Sequence, residues 1–244
     1  MVAEDRWKAR ERKVRLLPPP QLIIKTRDME MEKDLRFLEL KQELLNRAHK
    51  ANACKEQYSR ACGAQTLEEL MDVVKDNFIW AVNNGVLDGE FIDKWSVEFN
   101  DSEIWHNQSV SSGYLIAYGN ATVEATGNAT VRATGNATVR ATGNATVEAT
   151  GNATVEATDN ATVEAYGNAT VEATGNATVR ATGNATVEAY GNATVEAYDS
   201  AYVCSWSVKE CQLCDHAIYR IIESNTIRYV DPTIKFERVE TPEK

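Results

Sequence analysis

Four residues near the C-terminal end suggest metal chemistry first. Cys204, Cys211, Cys214 and His216 place a Cys-x2-Cys pair beside a His, and zinc takes four converging thiolate or imidazole ligands. In a strand of period two, Cys204 and Cys211 point to opposite sides, so these thiols are expected to be buried or at an edge rather than metal-bound. His49, Cys54 and Cys62 fall along one expected helix at spacings that do not cluster for a metal. Nucleophilic catalysis has little to draw on. The three His residues, His49, His106 and His216, lie in three separate regions, and nothing assembles a Ser/His/Asp set. Most Gly residues recur at one place in a short repeat, which leaves no phosphate-binding loop. The repeat Glu residues project into water and lack the desolvation that an acid or base catalyst needs. No enzymatic activity, cofactor or metal is expected.

Two further patterns belong to the repeat. Ten Asn-Ala-Thr sequons occur, but corner geometry accounts for each Asn, and the basic N-terminus has no apolar segment of secretory type. Outward Thr-x-Glu-x-Thr columns are similar to flat ice-binding faces, yet a Glu/Arg column runs down the middle. Ordinary strand propensity explains the Thr. At the N-terminus, residues 6–15 (RWKARERKVR) hold six basic residues, one Glu and one Trp. Arg6, Arg10 and Arg12 with Trp7 could bind nucleic acid through phosphates and a stacked base. The competing expectation is a solvated or protein-docking arm ahead of a stiff Pro18-Pro19-Pro20 spacer.

The elements that position these residues follow from the repeat. From Gly119 to Tyr198 the chain is ten octads of the form Gly-Asn-Ala-Thr-Val-[Glu/Arg]-Ala-[Thr/Tyr], with Asp159 the one replacement of Gly. A short fixed period signals a solenoid. Within each octad Ala, Val and Ala share one face while Thr, Glu or Arg, and Thr share the other, so each octad is one strand. Gly-Asn then turns the corner, because both residues tolerate left-handed backbone. The register continues on either side, from SSGYLIAY at 111–118 to DPTIKFER at 231–238. Residues 111–238 therefore read as sixteen octads, with Val203, Cys211, Leu213, Tyr219, Ile221, Ile227 and Tyr229 inward. An Ala-Val-Ala lining fits a thin two-sheet coil of sixteen residues and would leave a triangular coil of twenty-four poorly filled. Charges agree: sixteen apart, the array forms five opposite-charge pairs and three Glu–Glu pairs, and stacked like charges are unfavourable. The expected fold is mainly β, a β-solenoid (β-helix) of about eight two-strand coils, roughly 38 Å long, with an α-helical N-terminal region and cap.

The array AYGNATVEAY at 189–198 and the closing stretch ECQLCDHAIYR at Glu210–Arg220 resemble the octapeptide-repeat β-solenoid proteins of gut bacteria and their phages or prophages. The resemblance covers roughly residues 66–240. It implies a phage or mobile-element origin and brings no established activity.

Upstream, Thr66-Leu-Glu-Glu69 is a capping box opening a helix that runs to Asn84-Gly85, and Asp88-Gly89 opens a short second one with Phe91, Ile92 and Trp95 on one side. This pair, helped by Trp105, is expected to cover the first coil, whose open edge would otherwise template aggregation. Asp28–Cys62 reads as one long helix with an apolar stripe through Phe37, Leu40, Leu44, Ala48, Ala51 and Tyr58. The organisation is a basic arm and Pro-rich linker (1–27), a long amphipathic helix (28–65), a helical cap (66–110), the repeat solenoid (111–198) and thickened coils with a plug (199–244).

Charge narrows the function. The net charge is −10, but residues 1–62 carry 15 Lys/Arg against 10 Asp/Glu, and residues 63–118 carry 2 against 10. A basic head thus precedes an acidic body. Five Cys is an odd, low number and no apolar run spans a bilayer, which favours a reducing, cytoplasmic or virion-associated setting over a secreted or membrane one. Two functions fit. The first is a non-enzymatic scaffold that binds a protein partner through its ends. Tyr190 and Trp206, sixteen apart, are expected to stack as an exposed pair, with Tyr198 and Tyr202 nearby as further anchors. The second is an acidic DNA mimic that blocks a host DNA-binding or restriction enzyme. Duplex DNA of this length carries about 22 charges, whereas the array offers eight acids against three Arg; the denser acidic segment 63–118 is the better place for a mimic, and the scaffold is the first expectation.

Overall fold

The computed structural model describes residues 20–207 and 209–235, with side chains from Met29 onward. The arm residues Arg6, Trp7, Arg10 and Arg12 lie outside the described residues. The chain divides into two units between Glu43 and Leu44, inside the first helix, α1 (Pro20–Lys50).

The helix expected over 28–62 is in two pieces. After α1 the backbone turns at Asn52, φ 55°, where the Ala53 N–H reaches back to the Ala48 carbonyl at 3.0 Å. Asn tolerates this left-handed stop at a helix C-terminus, and α2 (Lys55–Gly63) follows as a separate helix. Next, α3 (Leu67–Asp76) opens as expected: the Glu69 N–H donates to Thr66 Oγ1 at 3.2 Å, and the Glu69 carboxylate accepts the Gln65 N–H at 2.6 Å. The expected run to Asn84 is interrupted at Asn77, whose side-chain amide donates to the Val73 carbonyl at 2.8 Å. Such local bonding competes with the helix ladder. After this break come α4 (Phe78–Asn83), α5 (Gly89–Lys94, capped by Asp88) and α6 (Ser96–Asp101). Arg47 ties the C-terminal turn of α1 to this cap, donating to the Val86 carbonyl at 2.7 Å, pairing with Asp88 and lying 4.5 Å from the Phe91 ring.

Strand β1 (Ile104–His106) carries the cap onto the solenoid. It pairs in parallel with β2 (Tyr114–Ala117) and packs beside α5 and α6. From β2 to β15 (Ile218–Ile221) each octad gives one four-residue strand. Even-numbered strands stack in one sheet behind β1, odd-numbered strands in the other, each paired in parallel with residues sixteen away. The coil is therefore sixteen residues. In the array interior Val and both Ala of each octad are fully buried, from Val131 to Ala189. Every Gly of the array holds positive φ at its corner, and a Cβ on Gly151 would lie 3.1 Å from the Gly135 carbonyl oxygen of the coil beneath. Asp159, Asp199 and Asp215 take the same conformation. Their carboxylates accept the N–H groups of Gly143, Gly183 and Asp199 one coil below, at 3.1, 3.0 and 3.3 Å. That bond compensates the left-handed backbone that Gly adopts freely.

Among the described residues the parallel stack holds seven coils where about eight were expected, and the sixteenth octad, 231–238, lies partly outside them. After β15, the Ser224-Asn225 turn, with Asn225 at φ 48°, reverses the chain, and β16 (Thr226–Tyr229) pairs antiparallel with β15. Residues opposite each other in such a pair share a side. Arg228 faces the inward Tyr219, while Ile227 faces the outward Arg220 and Tyr229 faces Ile218. Ile227 and Tyr229, expected inward, therefore lie on the outward side, and all four residues of this edge strand are exposed. Cys211 and Leu213 on β14 (Glu210–Leu213) point inward but are only half-buried, because no further described strand covers them. Tyr219 is fully buried beside them; its hydroxyl accepts the Lys209 N–H at 2.8 Å and bonds Ser205 Oγ at 2.7 Å. No helix among the described residues is long and apolar enough to cross a membrane.

Candidate functional site

Along the array the outward surface is monotonous. Asn side chains form two ladders, each amide donating to the Asn one coil below at 3.2–3.4 Å. The ten sequon Asn residues belong to these corner ladders. On each sheet run Thr columns and one charge column. Arg140 Nε donates to Glu156 at 2.9 Å, Arg132 pairs with Glu148 at 2.7 Å, and Glu148 and Glu164, Glu156 and Glu172, and Glu172 and Glu188 are the three stacked like pairs.

The pattern changes on the odd-numbered sheet at its C-terminal end. There β13 (Tyr202–Ser205), β15 and β16 align Tyr202, Ile218 and Tyr229 in one outward row. A middle row of Cys204, Arg220 and Ile227 separates it from the corner column of Tyr190, Trp206 and Ile222, which recur at sixteen-residue intervals. Trp206 is 62% exposed, and Tyr190, Ile222, Ile227 and Tyr229 are each 40–44% exposed. Tyr190 and Trp206 share a corner column but form no ring contact among the described residues. Instead the Tyr190 hydroxyl donates to Glu188 at 2.9 Å, which raises its pKa. Tyr198 lies on the other sheet, its hydroxyl bonded to Glu196 at 3.1 Å and its ring 5.0 Å from the Arg180 guanidinium. Sequence reasoning found three of the face's aromatics but missed Ile222, Ile227 and Tyr229. The available signal was Glu223-Ser224-Asn225, a reverse turn in place of a Gly-Asn corner.

The candidate chemical groups are dispersed. Cys204 lies in the odd-numbered sheet between Glu188 and Arg220; burial, then Glu188, push its thiol up. Cys211 lies in the even-numbered sheet, where burial pushes its thiol up to about 11 against the pull of Arg228. His216 pairs with Asp231 at 2.5 Å, which draws the chain after β16 to the corner before β15. His106 pairs with Asp93 at 3.1 Å in the cap. No cluster of three His, Cys, Asp or Glu able to hold a metal occurs among the described residues.

The fold and surface define a two-sheet β-solenoid with a helical cap at its first coil and an aromatic-aliphatic face at its last. Comparison with family models, curated proteins and solved structures returned no match to this chain.

Proposed function

We propose that the chain is a non-enzymatic β-solenoid scaffold, of the phage or mobile-element type that its octads resemble, and that it binds a protein partner through the C-terminal end. The observation that carries this is the outward face of Tyr202, Trp206, Ile222, Ile227 and Tyr229. Clustered exposed aromatic and aliphatic side chains mark protein interaction sites, and Trp and Tyr are the residues most enriched among binding hot spots. The array supports the reading from the other side. Its octads repeat one outward chemistry over and over, which suits a spacer better than a recognition surface.

The test compares three forms of the protein in a pull-down from host lysate, with and without nuclease, at two salt concentrations. The Trp206→Ala/Tyr202→Ala form is expected to lose the captured protein. Replacing Glu148, Glu156, Glu164 and Glu172 by Gln is expected to change capture by less than about threefold, because charges far from the end are screened beyond about 8 Å. Loss in the Gln form together with steep salt dependence would overturn this reading in favour of a DNA mimic, whose binding depends on its acids. Nuclease-sensitive capture would point to nucleic acid.

A further inference from the structure

The helical cap contains a cavity of about 240 Å³, walled by the last turns of α1 and by α2, α3, α4 and the residues just after α4. Packed interiors hold few voids larger than a water molecule. The gap has a sequence cause: Ala48, Ala53, Ala61 and Ala81 all line it, where larger side chains would meet across the helices. Val74 and Leu87 add to an almost wholly apolar wall. Two of its polar side chains, Gln57 and Asn77, are turned to one another. The Asn77 amide donates to the Val73 carbonyl at 2.8 Å and to Gln57 Oε1 at 3.3 Å, and Gln57 Oε1 also accepts from Arg60 at 2.8 Å. Water needs two to four polar partners to occupy such a space, and an apolar cavity of about 150 Å³ stays dry and takes benzene. The present space is larger and is a half-open pocket rather than a sealed void, reaching solvent beside the exposed Cys54 and Trp80.

We propose that this cavity is a binding site for a small uncharged apolar molecule, the size of one or two fused aromatic rings or a short alkyl chain. The wall sets the chemistry. It offers no free ion partner for a charged group, so a carboxylate would be desolvated without compensation, while a ring gains by leaving water and filling empty space. Binding also closes over Cys54, which makes that thiol a reporter. The site is independent of the C-terminal face, so either can fail without the other.

Toluene is the probe, with benzoate as the charged control. In the full chain carrying Cys62→Ser, saturating toluene is expected to raise the melting temperature by at least 2 °C and slow modification of Cys54 by a thiol reagent at least threefold. Benzoate should do neither. Ala48→Leu, which fills the space, should melt no lower than the parent and abolish both toluene effects. Ala61→Val is a second, smaller filler and should reduce them. Failure of toluene to shift melting and to protect Cys54 would overturn the proposal. So would an Ala48→Leu protein that keeps both responses, because toluene would then be acting somewhere other than this space.

Discussion

Arg132 and Arg140 hold the same place in two identical octads, yet their side chains are 8% and 58% exposed. Consecutive octads go to opposite sheets, and Arg132 follows Ile116, itself only 2% exposed at an outward position, on the even-numbered sheet nearest the cap. Burial lowers the Arg132 pKa against the attraction of Glu148. Arg132→Ala leaves Glu148 without its partner in a largely covered site and should cost about 3 kcal/mol. Arg140→Ala should cost less than about 1 kcal/mol. Denaturant unfolding of the two variants measures the difference, and equal values would mean the two environments are alike. A proton-linked effect belongs to the same column. The Tyr166 hydroxyl donates to Glu164 at 2.7 Å; that bond first, then burial, pushes its pKa up to about 12. A raised pKa means the folded state holds the proton more tightly than the unfolded state. The contribution is whole below about pH 10 and is lost as pH rises through about 12. Phenolate absorbance should show one fewer late-titrating Tyr in Tyr166→Phe, with a smaller stability loss across that window.

At the scale of the element, the strand alternation makes a direct claim about faces. Val155 is fully buried, so Val155→Asp places an unpaired carboxylate in a core two side chains thick and should cost at least about 3 kcal/mol. Thr154→Asp on the outward face should cost less than about 1 kcal/mol; similar melting temperatures would contradict the assignment. The last strand carries a different device. Because β16 runs backwards, it sets Arg228 at the position that would otherwise continue the apolar column above Tyr219. An inward charge on an edge strand discourages another strand from joining. Arg228→Val should therefore raise concentration-dependent association, read by sedimentation velocity. Sedimentation unchanged from the parent would show that the charge does not guard the edge.

For the solenoid as a whole, two octads make one coil, so changes of length come in two kinds. Deleting Gly151–Tyr166 removes a full coil and keeps the C-terminal face on the same side. Deleting Gly151–Thr158 removes half a coil and swaps every later strand to the other sheet, joining the charge and aromatic columns out of register. The sixteen-residue deletion should retain partner capture and a melting temperature close to the parent. The eight-residue deletion should keep its strand signal in circular dichroism but destabilise the junction and turn the face by half a turn. Loss of capture in the full-coil deletion would show that the array itself is part of the binding surface.

Alternation within the octad, the Gly-Asn corner and the sixteen-residue charge pairing were all legible in the sequence. They are local or strictly periodic, and the same residue meets its own copy one coil away, as Val155 meets Val171. The capping residues Thr66 and Asp88 were legible for the same reason, since each acts within three residues of itself. Where periodicity ends, tertiary structure decided. The octad register runs unbroken through residues 223–230, but the turn at Asn225 reverses the chain, so Ile227 and Tyr229 face outward and Arg228 inward. Helix breaks at Asn52 and Asn77 depend on single backbone and side-chain bonds that an apolar stripe does not record. The contrast between Arg132 and Arg140 had no sequence signal at all. Their octads are letter for letter the same, and only the sheet each joins, and its distance from the cap, sets how much water each guanidinium meets.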